Sequence, residues 1–156
     1  KVIPLVRDTR TEKDFSDWLN GLIASDPQAA GWHLVMDQLN THKSEAAVRF
    51  VAKVEGTTDT ELGVKGKHGI LKNMKTRAEY LSSPEHKIVF HYTPKHASWL
   101  NQIEIWFSIL VRRFVKRNSF KSTSDLKQRM LEFIEFFNTR LAKPFKWTYK
   151  ARPLVA

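Results

Sequence analysis

The chain has 156 residues, 42% hydrophobic and 12% aromatic, so it is long enough to bury one core and too short for us to expect two. It has no cysteine, which excludes disulfides and thiolate metal sites and is compatible with a reducing compartment such as the cytoplasm. No apolar run reaches membrane-spanning length, and the start has neither a signal-peptide pattern nor an initiator Met. We therefore predict a single domain over residues 1–156, no membrane partner, and a chain that is a fragment or a processed product.

The elements alternate between helix and strand. Thr11 and Asp14 form a capping pair before an apolar stripe at helical spacing, which predicts a first helix ending at Asp26-Pro27. "WHLVMD" predicts a buried strand that ends in an acid, and "SEAAVRFVAKV" predicts a second helix capped by Ser44. Residues 56–86 are rich in Gly and Lys, and we interpret them as an insertion. A second strand is predicted at Ile88–Tyr92, before the break at Thr93-Pro94.

The segment "SWLNQIEIWF" predicts a helix that begins near Ser98. Its predicted buried stripe is Leu100, Ile103, Phe107, Leu110 and Phe114. Glu104 lies at the edge of this stripe, and we expect its carboxylate to be partly shielded from water. "STSDLKQRMLEFIEFFNTRL" predicts a last helix. Alternating strands and helices indicate an α/β fold.

The formal net charge of +10 is concentrated late in the chain. Residues 1–60 carry a net charge of −2, and residues 61–156 carry +12. Two stretches have five positive charges each and no acid, namely residues 65–77 ("KGKHGILKNMKTR") and 112–121 ("RRFVKRNSFK"). This asymmetry favours a polyanionic partner, most simply nucleic acid, and a solvated basic surface is the alternative. The candidate DNA contacts are Lys65, Lys67, Lys72, Lys75, Arg77, Arg112, Arg113, Lys116 and Arg117.

Two acids are placed where they could share a cavity. Asp37 ends a predicted strand, and ligands gather at the carboxyl ends of strands in open α/β sheets. The helix of Glu104 could pack beside it. Carboxylates suit Mg²⁺, and two of them in a basic protein suggest two-metal phosphodiester chemistry. Taken alone, an acid in either position is more often a helix cap, a turn residue or a solvated side chain than a metal ligand. Asn40, His42 and Asn101 are likewise more often turn or cap residues than catalytic ones. The six histidines form no zinc-binding pattern.

Two motifs carry a resemblance to a known family. "VMDQLNTHKS" resembles the second-aspartate motif of DDE transposases of the mariner-like superfamily, in the bacterial insertion-sequence branch, and "YTPKHASWLNQIEIWFSIL" resembles the motif of the final glutamate. The likeness extends through "LGVKGKHGILKNMKTRAEYL", "FKSTSDLKQRMLEFIEFFN" and "AKPFKWTY", and so covers nearly the whole chain. It implies a ribonuclease-H-like, retroviral-integrase-like fold, a mixed sheet flanked by helices.

The resemblance also implies an activity and a set of residues. The implied activity is Mg²⁺- or Mn²⁺-dependent cleavage and strand transfer of insertion-sequence DNA, with transposon ends and target DNA as partners and a homodimer expected. By motif position Asp37 resembles the second catalytic acid and metal ligand and Glu104 the third. Asn40, His42 and Asn101 lie near them as supporting residues.

The chain departs from the family pattern at two points. The interval from Asp37 to Glu104 contains the basic Gly-rich insertion, and no upstream residue matches the first catalytic aspartate, so we expect the first strand to be missing. Two alternatives therefore stay open. One is a non-catalytic DNA-binding remnant of a transposase. The other is an RNA-binding basic module, which is disfavoured because the aromatic residues lie mostly on helix stripes.

Overall fold

A computed structural model of the chain describes residues 1–97 and 101–144. Its two strands are β1 (Trp32–Met36) and β2 (Ile88–Tyr92). The helices within the described residues are α1 (Glu12–Ala24), α2 (Glu45–Glu55), α3 (Asp59–Leu62), α4 (Met74–Leu81), α5 (Ile103–Arg113) and α6 (Thr123–Phe136). The predicted α/β alternation is confirmed. Within the described ranges the sheet is a two-stranded parallel pair, so the mixed character of the predicted sheet is not seen there.

The described residues form two compact units. Residues 5–118 form the larger unit, which contains α1 to α5 and both strands. Residues 1–4 and 119–144 form the smaller one, in which Val2 N–H donates to Asn138 Oδ1 (2.7 Å) and Asn138 Nδ2 donates back to the Val2 carbonyl (2.8 Å). A single domain over residues 1–156 stays a prediction.

Both early helices begin at the predicted caps. Thr11 Oγ1 accepts the Asp14 N–H (3.2 Å), and Asp14 accepts the Thr11 N–H (2.7 Å), which completes a capping box at the start of α1. Ser44 Oγ likewise accepts the Ala47 N–H (3.2 Å) at the start of α2. Because these side chains bind backbone groups that a helix start leaves free, the local sequence was sufficient to predict both boundaries.

The core of the larger unit lies on one face of the sheet. Leu34 pairs with Phe90 in the parallel register, and both side chains are buried beneath helices. The Phe15 ring of α1 meets the Phe90 ring edge-on, 6.4 Å between centroids. On the other face, His33 and His91 are exposed side by side. Parallel pairing brings the carboxyl ends of β1 and β2 to one edge of the sheet.

Residues 56–86 contribute to the core, which the interpretation as an insertion did not anticipate. The side chains of Leu62, Leu71 and Leu81 are each no more than 1% exposed. Gly63 and Gly69 have φ angles of +74° and +76°, and their backbones touch: a Cβ on Gly63 would lie 2.4 Å from the His68 carbonyl oxygen. Only glycine is compatible with both conditions. This crossing shapes the turn that carries the first basic stretch.

Helix α5 buries only part of the predicted stripe. Trp106, Leu110 and Phe114 are buried, whereas Ile103 and Phe107 are 41% and 49% exposed. The helix is therefore rotated toward the side that buries the large Trp106 indole. The predicted start near Ser98 and its first apolar residue, Leu100, lie outside the described residues.

Helix α6 follows the predicted stripe in the smaller unit. Ile134 is buried, and the other stripe residues within the described range are half-buried, namely Leu126, Met130, Phe133, Phe137 and Leu141. Ser122 Oγ caps the start by accepting the Asp125 N–H (3.1 Å). The last predicted motif, residues 142–149, lies largely outside the described residues.

Candidate functional site

Asp37 is the first residue after β1, at the carboxyl edge of the sheet. Thr93, the first residue after β2, donates its N–H to the Met36 carbonyl (2.8 Å), which holds the two strand ends together. Asp37 Oδ1 accepts the Leu39 N–H (3.0 Å), so the chain turns sharply beneath the carboxylate. The Asp37 side chain is 38% exposed.

The turn after Asp37 brings a histidine to the carboxylate. Residues Asn40–Lys43 form one 3₁₀ turn, which begins at the exposed Asn40. This turn places His42 Nδ1 2.7 Å from Asp37 Oδ1, a close approach whose angles are not those of a hydrogen bond. The Phe15 ring (4.7 Å between centroids) and the Tyr92 hydroxyl, which donates to the His42 carbonyl (2.8 Å), hold the turn in place. Burial raises the pKa of Tyr92, so its phenol stays a neutral donor.

A cavity of about 350 Å³ opens at this edge of the sheet. It is lined by Asp37, Gln38, Leu39, Thr93, Pro94 and His96. Gln38 links its walls, because its Nε2 donates to the Thr93 carbonyl while its Oε1 accepts from Lys43 Nζ. Lys43 in turn lies over the Tyr92 ring, 4.8 Å from its centroid. We call this space the Asp37 pocket.

Three residues of the Asp37 pocket were missed by sequence reasoning. Gln38 and Thr93 are ordinary turn residues by sequence, and His96 was interpreted as a satisfied histidine. Their position in the sequence could have identified them, since each of them follows the end of a strand, where ligand sites of α/β sheets lie.

Glu104 lies in the first turn of α5, and its side chain is exposed. The expectation that its carboxylate is partly shielded from water is wrong, because Glu104 is exposed and the nearby Phe107 and Val111 are themselves at least 40% exposed. The lining of the Asp37 pocket does not include Glu104, and the described residues contain no group of three side chains that could hold a metal ion. Asn101 Oδ1 accepts the Ile103 N–H (3.2 Å), which gives Asn101 a role at the start of the helix. The pairing of Glu104 with Asp37 stays a prediction.

The cations of the first basic stretch, residues 65–77, differ in their exposure and in their partners. Arg77 is 8% exposed, and its guanidinium donates to the carbonyls of Lys43 (2.7 Å) and Leu71 (3.1 Å). A DNA contact by Arg77 is therefore not favoured, because the side chain is buried and two of its five N–H donors are used inside the protein. Lys65 lies 3.4 Å from Glu12 and 3.6 Å from Glu45, which partly neutralises it. Glu45, in turn, has its pKa lowered chiefly by the Arg49 guanidinium. Lys67 and Lys72 are exposed and form no ion pair within the described residues, whereas the exposed Lys75 lies 4.0 Å from Glu79.

The second basic stretch is open to solvent. Its four candidate contacts all lie on the exposed side of α5 or in the turn after it, and the ion pairs of the described residues involve other cations. These four are Arg112, Arg113, Lys116 and Arg117. Their charges are therefore available to a polyanion.

A comparison with protein-family models decides the lineage. The model described as DDE superfamily endonuclease matches residues 1–127, which include β1, β2, Asp37 and Glu104. The chain belongs to this family. It is thus a DDE transposase-type domain, and the membership implies a ribonuclease-H-like fold, of which the described residues show two parallel strands and their helices.

Two further comparisons add nothing to the assignment of this DDE domain, because no curated protein and no solved structure matches it significantly. Across the part of the DDE domain that the structure describes, no helix has the length and apolar character needed to cross a membrane.

Proposed function

We propose that this chain is the catalytic domain of a DNA transposase that cleaves and joins strands of insertion-sequence DNA. The observation that carries the proposal is the family match over residues 1–127, which contains an acid at the carboxyl end of a parallel strand pair. Its assignment to the mariner-like, bacterial insertion-sequence branch rests on the motifs around Asp37 and Glu104. The homodimer is part of the same proposal, and size-exclusion chromatography with light scattering tests it.

The Asp37 pocket has the chemistry of a site for Mg²⁺ or Mn²⁺. It offers one carboxylate and about 350 Å³ of space, and Mg²⁺ uses one or two protein carboxylates together with water and phosphate oxygens. Asp37 and Glu104 would hold the ions, and His42 would orient Asp37. Bound metal would supply activation of water and of a DNA 3′-hydroxyl for attack on phosphodiesters, as a two-metal site.

Metal binding to the full chain tests this assignment. Mn²⁺ titration followed by electron paramagnetic resonance should show a weak site, because two carboxylates alone leave most of the metal shell to water. Asp37→Ala and Glu104→Ala should each abolish it, while Glu79→Ala, on the exposed side of α4, should not. Undiminished binding in both site variants would overturn the assignment. Abolished binding in only one variant would remove the other residue from it.

A second candidate function is DNA binding without cleavage. It is favoured by the exposed position of Glu104 and by the lack of a three-ligand group among the described residues. Nicking of a supercoiled plasmid with Mn²⁺ separates the two candidates. Cleavage that Asp37→Ala abolishes supports the transposase, whereas tight DNA binding without any nicking supports the second candidate.

DNA binding is common to both candidates and has its own test. Binding should weaken steeply with salt, because each neutralised phosphate releases counterion. Replacing Lys67, Lys72 and Lys75 with Ser, or the four open cations of the second stretch, should reduce the slope by roughly 0.9 for each phosphate that is no longer neutralised. Lys13→Ser is the matched control, since Lys13 already pairs with Asp17 at 2.8 Å. An unchanged dependence of binding on salt would mean that both stretches are solvated basic surfaces and do not contact DNA.

A further inference from the structure

Two histidines from different strands meet on the exposed face of the sheet. In the parallel register Val35 lies beside His91, and His33 is two positions before Val35, so the three side chains share one face. His33 Nδ1 lies 2.9 Å from His91 Nε2, and the ring centroids are 5.1 Å apart with 26° between the ring planes. Because 58 positions separate the two histidines in the chain, no spacing in the sequence predicts the pair.

The hydrogen bond between the two rings contributes little to the stability of the fold. A neutral imidazole has one N–H and one lone pair, so at 2.9 Å one ring donates to the other. Both side chains are exposed, and water competes for the same nitrogens. The pair therefore presents two imidazole nitrogens at the protein surface, close enough to bind one shared atom.

Two imidazole nitrogens at this separation suit a transition-metal ion. Zn²⁺ binds histidine nitrogen at about 2.0–2.1 Å. Two nitrogens at that distance from one ion are about 2.9 Å apart when the angle at the ion is about 90°, and about 3.3 Å apart when the angle is tetrahedral. Because both histidines are exposed, each ring can rotate about its side-chain bonds until its lone pair faces the shared ion.

We propose that His33 and His91 form a surface site for a divalent transition-metal ion of the Zn²⁺ and Cu²⁺ class. The ion replaces the hydrogen bond between the rings and joins β1 to β2. Within the described residues no third metal-binding side chain completes the group, so water fills the remaining positions. Imidazole suits Zn²⁺ and Cu²⁺, whereas carboxylate and water suit Mg²⁺ and Mn²⁺. The site is therefore distinct from the Asp37 pocket in its metal preference, and the proposal does not depend on the proposed function.

Four variants isolate the histidine pair. His33→Asn and His91→Asn each remove one imidazole at an exposed position and leave the core unchanged. Val35→His adds a third imidazole to the same face, at a side chain that is 55% exposed and lies beside His91 in the register. His68→Asn, at an exposed histidine in the turn of the first basic stretch, is the matched control.

The experiment is isothermal titration calorimetry of the tag-free full chain with Zn²⁺, at about pH 7.5, where imidazole is neutral. His33→Asn and His91→Asn should each weaken Zn²⁺ binding at least about tenfold, because even the loss of a supporting residue of a metal site has an effect of that size. Val35→His should tighten binding, since protein zinc sites commonly use three or four protein ligands. His68→Asn should bind Zn²⁺ as the wild type does.

Thermal melts give a second measurement. Zn²⁺ should raise the melting temperature of the wild type more than that of His33→Asn or His91→Asn, because the ion binds the folded chain, in which the two strands are paired. Melts without Zn²⁺ ensure that all variants are folded.

The outcomes separate the histidine pair from the Asp37 pocket. Zn²⁺ binding that both His33→Asn and His91→Asn leave unchanged overturns the proposal. So does binding that Asp37→Ala abolishes while the two histidine variants retain it, since the ion then occupies the Asp37 pocket. An equal loss in His68→Asn would mean that Zn²⁺ binds scattered surface histidines, which also overturns the proposal. In each of these cases the Mn²⁺ and DNA tests of the proposed function keep their own outcome.

Discussion

His42 Nδ1 lies 2.7 Å from Asp37 Oδ1, and the Tyr92 hydroxyl fixes the turn that places it there. Residues that orient a metal-binding carboxylate commonly change metal affinity 10- to 100-fold when they are replaced. We therefore expect His42→Ala to weaken Mn²⁺ binding about tenfold, measured by electron paramagnetic resonance. His33→Ala, at a histidine whose ring contacts His91, is the control. Equal Mn²⁺ affinity in wild type and His42→Ala would show that His42 does not position Asp37.

The exposure of Glu104 changes what its replacement should do to stability. A shielded carboxylate would destabilise the metal-free chain, but Glu104 is exposed. Glu104→Gln should therefore alter the free energy of unfolding by no more than about 0.5 kcal/mol in urea titrations with a chelator present. Glu79→Gln on α4 is the matched control. Stabilisation of about 1 kcal/mol or more would mean that the carboxylate is desolvated after all.

Arg77 should matter for folding and not for DNA. Its guanidinium supplies donors to the carbonyls of Lys43 and Leu71 in a position that is 8% exposed. Arg77→Met leaves these carbonyls without their partner, which should cost about 2 kcal/mol of stability in urea unfolding. Arg112→Met, on the exposed side of α5, should cost less than about 0.5 kcal/mol. The opposite ranking of the two variants would restore Arg77 to the DNA-binding set.

The cap of α1 predicts a decrease of stability in acid. The Thr11 backbone N–H, followed by the hydroxyls of Thr11 and Thr9, lowers the pKa of Asp14 from its ordinary value of 3.8. Since the folded pKa lies below the unfolded one, the stabilisation is present above pH 3.8 and is lost as the pH falls through the folded pKa. Asp14→Asn should therefore melt lower than the wild type at pH 6, and the difference should shrink below pH 3.8.

Thermal melts across pH 2.5 to 7, on the order of one per half unit, measure this difference. The control is Asp8→Asn, at an exposed residue before α1. If the difference in melting temperature between Asp14→Asn and the wild type stays constant over the whole pH range, the effect of Asp14 does not depend on its charge.

Local signals account for the parts of the fold that were predicted. The capping pair of Thr11 and Asp14 and the apolar run that ends at Asp37 depend on neighbours a few residues away, so the sequence displays them directly. The α/β class likewise follows from the alternation of strands with helices along the chain.

The remaining features depend on contacts between distant residues. The burial of Arg77 requires the Lys43 carbonyl, 34 positions away, and no local pattern indicates such a partner. The rotation of α5 toward Trp106 was hidden because apolar residues occupy several sides of that helix. Thr93 and His96 acquire their shared pocket only when β2 lies beside β1.

The backbone crossing of Gly63 and Gly69 has a consequence for mutational scanning. Any Cβ at either position meets main-chain atoms within 3 Å, so every substitution there should fail whichever property is selected. In a deep mutational scan of DNA binding, these two positions would score as strongly as true contact residues, although neither carries a functional group. A parallel selection for abundance would separate them, and would leave Lys67 as a position whose depletion reports on DNA alone.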